Sequence, residues 1–177
     1  MPTQKELDVL IAQTNARYSR HFKPGLDPVS IVLKGHLFTE ELLQDIICLH
    51  CRDTAPLEGI QIAYSHKAKL ANALFGAHIP NFHLPDTIWP ALDALNKLRN
   101  EFAHQLDSAK APARLLTFLL VAGGLSKAPP KLTLTELESW PEAKLADQLT
   151  AAMMGVLGYL GALRAIAFLN TPQRLNS

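Results

Sequence analysis

Strand signals are nearly absent from this sequence: no run alternates apolar with polar residues at period two, and no Asn-Gly or Asp-Gly turn occurs. The fold is therefore expected to be all-α. Cysteine is scarce as well. Cys48 and Cys51 are the only ones, too few for a disulfide framework. Nor is there an excess of charge of one sign, since 17 Lys and Arg against 16 Asp and Glu leave a net charge of +1. Without a general basic field, contact with nucleic acid must come from a local site, and long DNA is disfavoured as the primary partner. The N-terminal stretch has no apolar signal core, being interrupted by Lys5, Glu6, Asp8, Arg17 and Arg20. The cytoplasm is the expected compartment.

One segment, 151–169, is long and apolar enough to resemble a membrane span. It is free of charge until Arg164 and close to the roughly 20 residues that a spanning helix needs. A central arginine costs about 2.5 to 3.5 kcal/mol on insertion scales, so the segment reads as a buried helix and no membrane is expected. No internal repeat or low-complexity tract divides the chain. What is there is globular in composition: 177 residues, 48% hydrophobic and 19% charged. That length suits a single domain, 1–177, with a real core.

Helical periodicity and capping signals predict an up-and-down bundle of about five or six helices. The first, about 3–20, carries a narrow stripe of Leu7, Leu10, Ile11 and Thr14 and is expected at the periphery. Asp27 before Pro28 predicts the start of a long second helix that stops near Arg52, with Val32, Leu33, Leu37, Leu42, Leu43, Ile46, Ile47 and Leu49 as apolar positions. Residues 53–59 read as a loop. Ser65 is expected to cap a third helix ending at Phe75, and 77–85, with two prolines, reads as irregular. Asp86 then opens a fourth helix, Pro90 falling in its first turn and Leu92, Leu95, Leu98, Phe102 and Leu106 following at helical spacing. A fifth helix is predicted over 111–122, a connector over 126–131 and a helical turn over 133–140. A long, buried last helix runs over about 142–169. Gly155, Gly158 and Gly161 on it permit close approach of a neighbour, within the bundle or across a homodimer seam.

The chemistry concentrates in Asn96-Lys97-Leu98-Arg99-Asn100-Glu101-Phe102-Ala103-His104. At about 100° per residue, Leu92, Leu95, Phe102 and Leu106 cover an arc that also contains Arg99. An arginine there either snorkels out or meets a carboxylate or phosphate. Asn96, Asn100 and His104 form a stripe at i, i+4 and i+8 beside it. A planar, permanently charged guanidinium next to an imidazole is an apparatus for phosphate-ester chemistry. Arg99 would hold the phosphate, His104 would move the proton and Asn100 would orient one of them. The alternative is a buried structural pair between Arg99 and Glu40, Glu41 or Asp45 of the second helix.

Arg99-Asn100-Glu101-Phe102-Ala103-His104 resembles the signature of the HEPN superfamily, in which an arginine, often followed by asparagine, precedes a histidine by a few residues. The order of features is similar to its mannitol-operon-repressor-like branch. A helix with acidic residues over 36–45 is followed by Ser-x-Lys-x-Lys-Leu at 65–70, a Leu-Phe-Gly ending and then the signature helix. The similarity spans about 29–106. It implies a HEPN-like all-α fold and a metal-independent, cofactor-free endoribonuclease of the toxin or phage-defence kind, working as a homodimer under an antitoxin or regulatory protein. Cleavage would proceed by 2′-hydroxyl attack on the adjacent phosphate. Catalytic roles would fall to Arg99 and His104, with Asn100 in support and an acidic group from Glu41 or Glu40. Asn96, Lys97 and Lys67 are the candidates for RNA contact. The position that carries a modifiable tyrosine in some HEPN toxins is Leu106 here, which speaks against silencing by that route. The other function the resemblance implies is a noncatalytic transcriptional regulator or binding module. A third use of the same arginine and histidine is to sense a small phosphate ligand.

Cys48-Leu49-His50-Cys51 has the thiol spacing of zinc and redox motifs, but a zinc site would have to recruit His66, His78 or His83. Packing is the expected role of both thiols, and no metal is expected. His36 and Glu40, at i and i+4, read either as a surface pair or as a second proton-transfer group. Lys67 and Lys69 are placed to attract a phosphate backbone at the start of the third helix.

Overall fold

The computed structural model describes residues 4–74, 87–104, 108–125 and 131–170. The side chains of residues 4, 6, 7, 10 and 104 are also outside the described set. Seven α-helices occur among the described residues and no strand does: α1 (Gln4–His21), α2 (Pro28–His50), α3 (Tyr64–Leu74), α4 (Ile88–His104), α5 (Ala111–Gly123), α6 (Leu134–Glu138) and α7 (Glu142–Asn170). The protein is an all-α helical bundle. Leu106, Asp86, the predicted irregular stretch 77–85 with His78 and His83, and Pro129-Pro130 all lie outside the described residues.

Local chemistry sets several boundaries. Asp27 caps α2, its carboxylate accepting from the Ser30 amide at 2.9 Å, and Pro28 follows in the first turn. Those hydrogen bonds hold the Asp27 carboxyl below its ordinary pKa. Thr133 and Glu136 close a capping box at the start of α6, which is the helical turn read from the sequence. The expected loop at 53–59 contains a single 3-10 turn, Ala55–Leu57.

α2 and α7 form the spine of the bundle, α1 and α5 flank α7, and α3 and α4 pack against α2. The spine is tight because Gly35 faces Met153: a Cβ built on Gly35 would collide with the thioether. α1 is less peripheral than its narrow stripe suggests. Tyr18 and Phe22, which lie beyond that stripe, are buried, and both rings pack against Phe38 of α2. Of the three glycines of α7, Gly161 alone is close to a neighbour, since a Cβ built on it would lie 3.2 Å from the Thr14 methyl, whereas Gly155 and Gly158 face open space. By length and composition α7 is the one described helix able to cross a bilayer, yet 56% of its apolar stretch is buried inside the bundle. Its Arg164 reaches out to Asp45 at 2.6 Å.

Candidate functional site

Helix α4 is amphipathic. Ile88, Ala91, Leu92, Ala94, Leu95 and Leu98 are buried, while Asp93, Lys97, Asn100 and Ala103 are exposed. Arg99 comes directly after buried Leu98, at the border of the two faces, and is half-buried. Its Nη1 donates to the Asn100 side-chain oxygen at 3.1 Å. The three carboxylates considered as its partners are each engaged elsewhere. Glu40 holds Lys67 at 3.0 Å, Glu41 holds Arg17 at 2.7 Å and Asp45 holds Arg164 at 2.6 Å. Among the described residues, Arg99 therefore has no ion-pair partner, and the structural pair expected as the alternative is not formed.

Beside Arg99 lies a buried polar junction between α2, α3 and α4. His36 is 4% exposed. Its ring stacks on Tyr64 of α3 with centroids 4.0 Å apart, and its Nε2 lies 3.2 Å from the Asn96 Oδ1 of α4. An amide oxygen only accepts, so Nε2 carries the proton and the imidazole is the Nε2–H tautomer. Thr39 spends its one hydroxyl proton on the His36 carbonyl at 2.9 Å, and the Tyr64 hydroxyl donates to Thr39 at 2.9 Å. Burial lowers the His36 pKa and the nearby Arg99 cation lowers it further, against the opposing effects of the Asn96 hydrogen bond and Glu40. Burial likewise raises that of Tyr64. His36 is thus neither a surface pair with Glu40 nor an exposed proton-transfer group. Its helical phase explains this, because His36 and Thr39 share one face of α2 with buried Val32 and Leu43.

The other candidates separate by helix face. Glu40 points to the α3 side and holds Lys67, whose side chain is only 13% exposed. One residue on, about 100° around the helix, Glu41 is exposed on the α1 side, where it holds Arg17. The structure thus groups Arg99, Asn100, Asn96, Glu40 and Lys67 around the α2–α3–α4 junction and does not bring Glu41 to it. Lys97 is exposed and paired with Asp93 at 2.6 Å. His104 is the last residue of α4, and its side chain is among those not described. Past it, Ser108 is buried and donates to the Glu101 carboxylate while accepting from the Lys110 amide, so the end of α4 is strapped to the start of α5.

Neither cysteine is in a disulfide, both are half-buried, and Cys48 accepts from Gln44 Nε2 at 3.3 Å. No three metal-capable side chains gather among the described residues. Sequence reasoning missed Tyr64 and the inward set of His36. The signal available for His36 was its spacing from Val32 and Leu43. Compared with family models, with curated proteins and with solved structures, the chain matches none of them.

Proposed function

We propose that the protein is a metal-independent endoribonuclease of the HEPN type, a toxin or phage-defence effector. Arg99 binds the scissile phosphate in this reading, and His104 transfers the proton between the attacking 2′-hydroxyl and the departing 5′-oxygen. The 2′-oxygen forms a bond to phosphorus as the bond to the 5′-oxygen breaks, leaving a 2′,3′-cyclic phosphate and a 5′-hydroxyl. Asn100 orients the guanidinium it already contacts, and two copies of the chain pair their α4 helices around one cleft. Of the two acidic residues of α2 considered for an assisting role, Glu40 is the one near the Arg99 face.

The observation that carries this reading is the half-buried Arg99 without a carboxylate among the described residues, while every acidic side chain expected to pair with it holds another cation. A guanidinium kept in that state is electrostatically complementary to a phosphate diester. Induced expression in bacteria tests the claim. Wild type is expected to arrest growth and His104→Ala to be harmless. Growth unaffected by either protein would favour a noncatalytic regulator that uses the same helix to hold a partner.

A further inference from the structure

Between α3 and α4, immediately before the Arg99 turn, runs a narrow cavity of about 110 Å³ whose walls include Tyr64, Lys69, Asn72, Trp89, Asp93 and Asn96. It is far smaller than the roughly 300 to 1,000 Å³ of pockets for drug-sized ligands, so it suits one flat ring and leaves any attached sugar and phosphate outside. Its polar groups are unequally engaged. Asp93 is neutralised by Lys97 at 2.6 Å, whereas Lys69 is exposed and has no ion pair among the described residues. Among the described residues the charge left over at the slot is positive. Asn96 lends its carbonyl oxygen to His36, which fixes the carboxamide and leaves its two N–H donors without a partner among the described residues. Trp89 supplies a half-buried aromatic wall.

An aromatic wall, an oriented amide donor and an uncompensated lysine make up the chemistry that recognises an unpaired base on a sugar–phosphate strand. We propose that the α3–α4 slot is a nucleobase subsite, in which a base flanking the phosphate at Arg99 packs on Trp89 and accepts from the Asn96 amide while Lys69 meets the next phosphate. This rests on the reading of Arg99 as an RNA-phosphate site. Asn96 lies one turn before Arg99 on the same helix, so base and phosphate would be held by consecutive turns of α4. His36 acts here as a positioning residue, through Asn96.

A single-stranded 2′-O-methyl oligonucleotide tests the proposal, because it lacks the attacking hydroxyl and binds without being cut. The same strand with abasic sites is the comparison. The chain has two tryptophans, so in a Trp140→Phe protein the emission reports Trp89 alone. The base-containing strand is expected to quench Trp89 and the abasic strand is not. By fluorescence anisotropy on otherwise unaltered protein, Trp89→Ala should weaken binding of the base-containing strand about tenfold, and Trp89→Phe should restore most of it. Lys69→Ala, at an exposed position, should weaken both strands and reduce the salt dependence. Equal affinity for the two strands with unchanged Trp89 emission overturns the subsite, as does no binding of either strand. Quenching by the uncleavable strand in a protein that cuts no RNA keeps the subsite and removes the nuclease. RNA cleavage that depends on His104 but has the same KM in Trp89→Ala removes the subsite and keeps the nuclease.

Discussion

His36 Nε2 donates to Asn96 Oδ1 across 3.2 Å, joining α2 to α4 at the buried His36 ring. This bond orients the polar face of α4 one turn ahead of Arg99. Burial of the His36 ring near Arg99 makes the junction sensitive to acid, because a protonated His36 would be a buried cation beside another cation.

The first prediction follows from that burial. The folded pKa of His36 lies below its ordinary value of 6.5, so the unfolded chain takes up this proton first. The contribution of a neutral His36 is complete above pH 6.5 and is lost as the pH falls through 6.5 towards the folded pKa. Between pH 7.5 and 5.5 the melting temperature of wild type should drop further than that of His36→Gln, which keeps an amide donor for Asn96 but cannot be protonated. Equal drops would show that His36 is not held neutral by its surroundings.

The Thr39–Tyr64 pair gives an asymmetric prediction. Thr39 already donates to the His36 carbonyl, so Tyr64 is the donor between the two hydroxyls. Thr39→Val strands a buried tyrosine hydroxyl and should cost about 1 to 3 kcal/mol, whereas Tyr64→Phe removes one hydrogen bond and should cost about 1 kcal/mol. The double variant should be less destabilised than the sum, because no hydroxyl is then left unpaired. Urea unfolding of the three proteins measures this directly.

Gly35 and Met153 set the spacing of α2 and α7, since a Cβ on Gly35 would run into the thioether. Alanine is better than glycine in a helix by about 1 kcal/mol, but overpacking a core costs about 1 to 3 kcal/mol. Gly35→Ala should therefore destabilise wild type. In a Met153→Ala background the clash is gone, and the same change should become stabilising. A substitution that destabilises equally in both backgrounds would locate the strain elsewhere.

The helical class, the main helices and the cap of α2 were legible because they depend on neighbours in sequence: Asp27 and Ser30 are one turn apart. Ser65, expected to cap α3, lies inside that helix instead, which begins at Tyr64. Face assignment on α2 was harder. Leu33 and Leu37 counted as apolar positions but are 37% and 60% exposed, while His36 and Thr39 are buried. Hydrophobicity alone passes over polar residues that satisfy one another inside a core. The glycine spacing on α7 suggested close approach, yet the tightest contact is at Gly35, because a close crossing needs the phases of two helices and sequence displays them one at a time. For the site, the adjacency of Arg99 and Asn100 was readable. Which cation each carboxylate of α2 takes was not, since that is decided by α1, α3 and α7.

Cleavage of a labelled single-stranded RNA by the purified protein in EDTA tests the central claim most directly. Wild type should yield fragments ending in a 2′,3′-cyclic phosphate and a 5′-hydroxyl. Arg99→Ala and His104→Ala should each lose about 10²-fold or more of the rate. Equal cleavage by wild type and His104→Ala, or no cleavage by wild type across RNAs of varied sequence and structure, would contradict the account.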